Sequence, residues 1–349
     1  MITEKKFGRT LDKQEVVLYS LKNENGMQAD IMNYGAILVN LFVPNKAGEV
    51  ADVVLGYDRV KDYFVNGSYF GATVGPVANR TEKGCFEIDE TIYNLVINDN
   101  DNNLHTDATA GFHKVVWSAE KNEEGNEVVF SYRAKDGELG FPGNREFKVT
   151  YKLTSDNALE IHYYASTDKK TLVNPTNHSY FNLKGHDCEQ TIEDEKLWLK
   201  ASHYTKVRMG AIPTGEIAPV AGTPFDFTQM KTVSQDIGAE NVQLALVKGY
   251  DHNFVIDDYE ESKVQKIAEV VDEKAGRTME VYSDLPGVQF YSGNNMVPEF
   301  GKEDAYYPVR GGLCLETQFF PNCANQDGFI KPVIGPEKPF ASTTIYKFI

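Results

Sequence analysis

Hydrophobic and polar residues alternate with a period of two along most of this chain, which is the pattern of strands that bury one face in a sheet. In the first half, such runs cover residues 15–21, 27–43, 51–56, 128–133, 145–153 and 159–165. In the second half they cover residues 196–199, 204–207, 249–256, 287–294 and 312–321. Turn-forming segments, such as residues 22–26 and 137–144, separate many of the runs. Repeated short strands with such turns predict an antiparallel sandwich rather than βαβ units.

Helical periodicity is weak throughout the chain. Residues 229–237 are the best candidate for a short helix, and residues 59–66 fit either a short helix or a loop. No internal repeat, low-complexity tract or flexible linker divides the 349 residues. We therefore predict an all-β fold in a single domain over residues 1–349, an antiparallel β-sandwich with few short helices.

Residues 174–183 are rich in hydrogen-bonding side chains where a buried strand is normally apolar. The Asn174-Pro175 pair predicts an extended entry, since proline restricts the residue before it to β or polyproline conformations. From His178 onward, the alternation places His178, Tyr180 and Asn182 on one face of a strand. That face is polar and uncharged, which is typical of a pocket for a neutral polar ligand. A lone histidine is more often structural, so partners elsewhere in the chain decide the interpretation.

Two stretches in the first third of the chain offer such partners. Residues 70–80 are glycine-rich and end in Arg80, whose guanidinium can form two parallel hydrogen bonds to sugar hydroxyls or to a carboxylate. A surface arginine paired with an aspartate is the alternative. His105 follows the polar turn at residues 98–103, a common position for functional residues. His113 follows eight residues later, and the sequence alone does not decide which of the two histidines is functional.

Three predicted strands near the C-terminus also contain a polar side chain within an apolar run. Asp251 alternates with apolar neighbours in the first strand, and Gln289 does so in the second. Glu316 shares one face of the third strand with Cys314 and Gln318. Burial raises the pKa of a carboxyl group, and a raised pKa suits a general base.

The chain is strongly acidic, with a net charge of −16. This charge argues against nucleic acid and anionic membranes as partners, because both require basic patches. The four cysteines form no CxxC pair and no zinc-like spacing with histidine, so we expect free thiols and no metal. Residues 1–9 are polar, and the longest apolar run, residues 36–44, is too short to span a bilayer. We therefore expect a cytoplasmic protein, a monomer or weak homodimer.

Six motifs, taken in order, resemble those of the aldose 1-epimerase (galactose mutarotase) family and cover nearly the whole chain. They are Asn79-Arg80, Leu104-His105, Asn177-His178-Ser179-Tyr180-Phe181-Asn182-Leu183, Tyr250-Asp251-His252, Gly287-Val288-Gln289-Phe290-Tyr291 and Leu315-Glu316-Thr317-Gln318. The resemblance implies a single antiparallel β-supersandwich with a sugar cleft, without metal or cofactor. The implied reaction interconverts the α and β anomers of aldohexoses such as galactose and glucose.

The resemblance also implies a role for each matching residue. His178 would be the general acid and Glu316 the general base. Arg80 and His105 would hold and polarise the monosaccharide, and Asp251 would bind its hydroxyls. The residues expected at the edges of the site are Asn79, Tyr180 and Gln289.

Three loops depart from the pattern of that family. Pro76-Val77 stands where an arginine often follows the glycine, and Thr106–Ala110 replaces two glycines after His105. Asn322 and the residues after it stand where a second proline is usual. We expect these loops to affect sugar preference more than chemistry.

Three other functions remain open on sequence grounds. An epimerase acting on a 6-phosphorylated hexose would need additional cations near the cleft, which the acidic balance disfavours. A glycoside hydrolase using Glu316 and Asp251 would need the two carboxylates about 5–10 Å apart. A non-catalytic carbohydrate-binding sandwich would need only hydroxyl-binding groups, so the presence of both His178 and Glu316 favours an enzyme.

Overall fold

The computed structural model describes residues 2–349; Met1, which belongs to the predicted domain, lies outside the described residues. The described chain forms twenty-nine strands, one α-helix and eight short 3₁₀ helices. Most strands are short, and the sheets they form account for most of the regular structure. The polypeptide therefore has the all-β character that the alternation predicted.

The strands follow one another with few helical interruptions. The first ten are β1 (Ile2–Arg9), β2 (Glu15–Lys22), β3 (Gln28–Met32), β4 (Ile37–Pro44), β5 (Val50–Asp52), β6 (Ala72–Val74), β7 (Arg80–Thr81), β8 (Cys85–Ile88), β9 (Thr91–Asn94) and β10 (Asn103–Leu104). The next ten are β11 (Ser118–Asn122), β12 (Glu127–Ala134), β13 (Arg145–Leu153), β14 (Ala158–Thr167), β15 (Thr171–Leu172), β16 (Thr176–His178), β17 (Lys196–Leu199), β18 (His203–Arg208), β19 (Ile212–Pro219) and β20 (Lys231–Thr232). The last nine are β21 (Asp251–Val255), β22 (Gln265–Asp272), β23 (Arg277–Ser283), β24 (Gly287–Tyr291), β25 (Glu299–Phe300), β26 (Tyr306–Tyr307), β27 (Cys314–Gln318), β28 (Val333–Ile334) and β29 (Phe340–Phe348). The α-helix is α1 (Val242–Val247), and the 3₁₀ helices are Val60–Phe64, Glu82–Gly84, Phe112–Lys114, Glu138–Gly140, Ile192–Asp194, Val233–Gln235, Lys302–Asp304 and Cys323–Asn325.

Three larger sheets organise the molecule. The first has the order β1-β2-β3-β4-β5, and the second has nine strands in the order β11-β12-β13-β14-β29-β23-β22-β17-β20. The third has the order β19-β18-β21-β24-β27, and a small pair, β16-β6, packs against β27. Neighbouring strands within these sheets run antiparallel. The prediction of an antiparallel all-β sandwich is confirmed.

The buried faces of these strands form the core. In β13, Phe147, Val149, Tyr151 and Leu153 are buried while the residues between them are more exposed, as period-two alternation requires. The largest buried apolar cluster takes residues from Ile2 to Phe348. The C-terminal strand β29 lies between β14 and β23 in the nine-stranded sheet, so it joins strands from the two halves of the chain.

Most predicted strands are present, and three segments differ. The run at residues 51–56 is strand only at its first two residues, within β5. The run at residues 27–43 forms two strands, β3 and β4, because Gly35 has a φ of 69° and turns the chain between them. The strand expected to continue through residue 183 ends at His178. Beyond it, Phe181 makes only isolated bridges, to Val54 and Leu313.

The prediction of a short helix at residues 229–237 is only partly confirmed, since the helical part is a single 3₁₀ turn at Val233–Gln235. That segment contains β20, whose Lys231 and Thr232 pair with β17 at the edge of the nine-stranded sheet. The helix α1 begins five residues later, after Asn241, whose side-chain oxygen accepts a hydrogen bond from the Gln243 amide at 2.9 Å. Within residues 2–349, no helix has the length and apolar character needed to cross a bilayer.

A buried ion pair fixes the segment that follows β25. The ammonium of Lys302, which is 2% exposed, donates to a carboxylate oxygen of Asp52. It also donates to the carbonyls of Val39 at 2.9 Å and Val54 at 2.7 Å. Burial lowers the pKa of Lys302, and the nearby Asp52 carboxylate opposes that shift. All three donor positions of the ammonium are used, which is the condition for tolerating a buried charge.

We expect Lys302→Met to lower the free energy of unfolding by about 3–5 kcal/mol, because it leaves Asp52 buried without its counter-charge. Urea denaturation followed by circular dichroism measures this change. Lys338→Met is the matched control, since Lys338 pairs with Glu261 while both side chains are largely exposed. An equal, small effect of the two substitutions would contradict the structural role of Lys302.

Candidate active site

A cleft of about 920 Å³ opens beside the third sheet and the β16-β6 pair. Seven of the eight predicted site residues line it: Asn79, Arg80, His105, His178, Tyr180, Asp251 and Glu316. Gln289 lies behind the lining, where its side chain is bonded to Asp251. Segments that are far apart in the sequence therefore meet at one place.

Adjacent strands of the third sheet carry the acidic and amide groups of the cleft. In the antiparallel register, Glu316 of β27 lies opposite Gln289 of β24, and Gln289 lies opposite Asn253 of β21. Directly opposed residues share a face of the sheet, and Asp251 shares that face because it is two residues from Asn253. The sheet register therefore brings Glu316 and Asp251 to the same side.

His178 reaches the same side from the neighbouring strand pair. Its strand, β16, is attached to β27 by a hydrogen bond of 2.9 Å from the Thr176 hydroxyl to the Thr317 carbonyl. The result is a separation of 3.8 Å between His178 Nε2 and Glu316 Oε1. We call these two residues the candidate catalytic pair.

Both members of the candidate catalytic pair are shielded from water. Burial lowers the pKa of His178 to about 4. Burial, with the nearby charge of Asp251, raises the pKa of the Glu316 carboxyl well above its usual range, although Arg80 opposes the shift. Glu316 Oε2 has no hydrogen-bond partner among the described protein atoms. A buried carboxylate oxygen without a partner is costly, so this atom is suited to receive a polar group of a ligand.

Arg80 is held at the cleft by two carboxylates. It begins β7, which pairs with β10 so that Arg80 lies opposite Leu104. Its Nε atom donates to Asp99 Oδ2 at 2.8 Å, and its Nη1 atom lies 3.8 Å from Asp251 Oδ2. Asp99 was not recognised from the sequence, since it lies in a polar turn that resembles any other surface turn.

Two hydrogen bonds with the backbone of Asn79 hold His105 in place. The Asn79 amide donates to His105 Nδ1 at 3.1 Å, and the His105 amide donates to the Asn79 carbonyl at 2.9 Å. Burial lowers the pKa of His105 well below its usual value, and the charges of His178, Arg80 and His113 act in the same direction. The neutral ring accepts at Nδ1, so its proton is on Nε2. His105 is therefore a fixed hydrogen-bond donor at that nitrogen.

The grouping of His105, His178 and Glu316 also raises the question of a metal. One ligand atom from each residue lies within 4.8 Å of the others. A metal at His105 Nε2 would require that nitrogen to lose its proton, and Nδ1 already accepts from the Asn79 amide. The donor set therefore does not match a three-ligand metal centre without loss of that contact.

Asp251 is oriented from behind by Gln289. The Gln289 amide donates to Asp251 Oδ1 at 2.6 Å. Burial raises the pKa of Asp251, while Arg80 and the Gln289 hydrogen bond act to lower it. Asp251 Oδ2 lies toward Arg80, so the two groups present a carboxylate and a guanidinium at one wall of the cleft.

Tyr69 is a second residue that was missed, and it separates the two candidate histidines. Its ring centroid lies 4.8 Å from that of His105, 4.8 Å from that of His113 and 5.9 Å from that of His178. Tyr69 lines the cleft, whereas His113 is buried outside the lining. His113 thus supports Tyr69, and His105 is the histidine that reaches the cleft.

Some polar residues near these motifs have structural roles instead. Asn182, expected to share a face with His178, donates to the carbonyls of Gln190 and Gly311 and does not line the cleft. The reason is that the strand ends at His178, so the alternation stops there. Among the unusual loops, Thr106 binds the backbone of Val77 through its hydroxyl. None of the three loops contributes a residue to the lining of the cleft.

The aldose 1-epimerase family model matches residues 17–347 of this chain. The chain is 38% identical over 323 residues to galactose mutarotase from Homo sapiens, covering 92% of this chain and 91% of that protein. It is 35% identical over 345 residues to aldose 1-epimerase from Escherichia coli (strain K12), covering 97% and 96%.

Solved structures show the same similarity in three dimensions. A crystal structure of an aldose epimerase homologue from C. elegans has a TM-score of 0.86 at 28% identity, covering 95% of this chain and 98% of that chain. A crystal structure of galactose 1-epimerase from Lactobacillus acidophilus NCFM has a TM-score of 0.83 at 27% identity, covering 100% and 98%.

We expect Asp99→Asn to raise KM for the sugar roughly tenfold, because Arg80 loses a charge-assisted hydrogen bond that orients it. Steady-state kinetics measure the change. Asp101→Asn is the matched control, since Asp101 lies exposed in the same turn. Equal KM values for the two variants would show that Asp99 does not position Arg80.

Proposed function

This chain belongs to the aldose 1-epimerase family, and we propose that it interconverts the α and β anomers of aldohexoses, with galactose and glucose as substrates. The observation that carries the proposal is the catalytic pair, a buried imidazole and a buried carboxyl 3.8 Å apart at the floor of the cleft. An acid and a base at one hemiacetal are sufficient for this isomerisation.

Ring opening begins with ionised Glu316 and protonated His178. Glu316 takes the proton from the hydroxyl on C1 while His178 Nε2 donates its proton to the ring oxygen, and the C1–O5 bond breaks. The aldehyde then rotates about the C1–C2 bond. On closure the roles reverse: His178 takes the proton from the C5 hydroxyl, and Glu316 returns a proton to the oxygen on C1.

The shared environment of the catalytic pair favours the proton movement of ring opening, which converts the disfavoured ion pair into the neutral form. Burial disfavours the charged form of each residue, so the form with neutral His178 and protonated Glu316 is stabilised in the free protein. Ring opening generates that same neutral form from the ion pair. One proton shared by the two groups is therefore sufficient for the cycle.

The remaining groups bind and polarise the sugar. Arg80 and the Nε2–H of His105 donate to sugar oxygens, and the Asp251 carboxylate accepts from sugar hydroxyls. Gln289 orients Asp251. Asn79 fixes His105 through its backbone amide, and Tyr180 packs beside His178, with 5.1 Å between ring centroids.

The charges of the cleft disfavour a phosphorylated substrate. The acidic lining residues are Asp58, Asp62, Asp251, Glu299, Asp304 and Glu316, and the basic ones are Arg59, Lys61 and Arg80. Arg80 is already engaged by two carboxylates. A phosphate would meet net negative charge, so a neutral hexose suits the cleft better.

The proposal also covers the domain organisation, the cellular compartment and the oligomeric state. Residues 1–349 form one domain, supported by a buried cluster that runs from Ile2 to Phe348. The protein acts in the cytoplasm as a monomer or weak homodimer, and its net charge of −16 disfavours nucleic acid and anionic membrane surfaces.

Polarimetry of freshly dissolved α-D-galactose tests the activity. We expect the protein to accelerate the decay of optical rotation without changing the final value, and α-D-glucose to respond in the same way. A rate equal to that of the buffer would overturn the proposal. A hydrolase would instead release sugar from a glycoside, and a binding module would change no rate.

Glu316→Gln tests the base in the same assay. We expect kcat to fall by about 10²- to 10⁴-fold, because the amide cannot take the proton from the C1 hydroxyl. Glu261→Gln is the control for loss of a carboxylate, since Glu261 is exposed and does not line the cleft. Wild-type turnover in a folded Glu316→Gln variant would refute the assignment.

The pH dependence tests the lowered pKa of His178. Below about pH 4 both members of the pair are protonated, and no base remains. We therefore expect kcat/KM, corrected for the spontaneous reaction, to stay level from pH 7 to pH 5 and to fall as the pH approaches about 4. Half-loss near pH 6.5, the ordinary value for histidine, would contradict the burial of the pair.

A further inference from the structure

Cys314 lies against the side of the His178 ring that faces away from Glu316. Its Sγ atom is 3.6 Å from His178 Nδ1, within range of a hydrogen bond to sulfur. The thiol is fully buried, two residues before Glu316 on β27. Cys314 and Glu316, both on β27, thus lie beside the two different ring nitrogens of His178.

The acid–base cycle constrains which nitrogen of His178 keeps its proton. Nε2 faces Glu316 and must release a proton and take it back. After the release, the neutral ring is competent only if its remaining proton is on Nδ1, because Nε2 must then be a free acceptor. The opposite tautomer would present an N–H at Nε2 and could not act as the base for ring closure.

We propose that Cys314 is a positioning residue whose sulfur accepts the Nδ1–H of His178, so that the neutral ring keeps Nε2 free for proton transfer. This inference rests on the proposed function of His178 as the acid. It adds a reason for a thiol at this position that packing alone does not supply.

The state of the thiol fits this role. Burial raises the pKa of the Cys314 thiol well above its usual value, and the charges of Glu316 and Asp251 act in the same direction. The sulfur therefore stays neutral and is only a weak acceptor. A thiolate would instead bind the imidazolium as an ion pair and retain the proton that Nε2 must donate. A neutral thiol orients the ring without holding its proton.

The backbone offers a competing acceptor. The carbonyl of His178 accepts the Gly71 amide at 3.1 Å, and it also hydrogen-bonds its own ring, which raises the pKa of His178 against the effect of burial. The test must therefore separate the sulfur from the backbone, which a side-chain substitution does.

Nitrogen-15 NMR of histidine-labelled protein at about pH 7.5 reports the tautomer of each ring directly, and the chain contains seven histidines. Assignment uses His178→Gln, which removes one signal set. We expect His178 to show a protonated Nδ1 and an unprotonated Nε2 in the wild type. We expect Cys314→Ala to shift both signals toward a mixture of tautomers, and Cys314→Ser to stay closer to the wild type.

Kinetics provide the second readout. We expect Cys314→Ala to lower kcat roughly 2- to 10-fold with little change in KM, the size expected for one weak hydrogen bond. Cys323→Ala is the matched control, because Cys323 is also a buried thiol but belongs to a separate apolar cluster away from the cleft. It should change neither kcat nor the His178 signals.

The outcomes separate this inference from the proposed function. Unchanged His178 signals in Cys314→Ala would overturn the inference, since the backbone would then orient the ring. A wild-type protein without mutarotase activity would overturn the proposed function and the catalytic purpose of Cys314, while the NMR comparison would still decide whether the sulfur sets the tautomer.

Discussion

Exclusion of water from the pair formed by His178 and Glu316 is the constraint on which the rest of the site depends. An isolated buried charge is expensive, and two opposite charges 3.8 Å apart offset only part of that cost. A single proton resolves the difficulty, since it can sit on either group and each arrangement has no net charge. The low polarity that makes the neutral form favourable also strengthens every hydrogen bond that a sugar makes there.

The sandwich supplies this environment through strand contacts rather than through a dedicated loop. The register between β24 and β27 determines the position of Glu316, and the hydrogen bond between β16 and β27 determines the position of His178. Gly71 holds the end of β16, donating its amide to the His178 carbonyl at 3.1 Å. A Cβ at Gly71 would lie 2.0 Å from the Leu38 carbonyl oxygen, and its φ of 65° also favours glycine. Packing of the sheets thus determines the separation of the pair.

Alternation predicted the sheets well because burial of one strand face is a local property of the sequence. It predicted the bounds of β13 and β17 to the residue. It extended the His178 strand too far, because the partner strand β6 pairs only with Thr176–His178, which is a long-range property. The site residues came from ordered motifs. Asp99 and Tyr69 had no such signal, since an aspartate in a turn and a tyrosine in a loop are common, and only tertiary contact gives them a role.

The two imidazoles of the cleft show how the partner of Nδ1 can decide what a histidine does. In His105 that partner is a backbone amide, a donor, so the neutral ring carries its proton at Nε2. Such a ring can polarise an oxygen but cannot accept a proton at the cleft. In His178 the neighbouring group is a sulfur, which can accept, and Nε2 is then free to exchange a proton with Glu316 or a sugar. The Asn79 amide thus limits His105 to donating at Nε2, whereas the sulfur contact proposed for His178 agrees with the role of acid from which it was inferred.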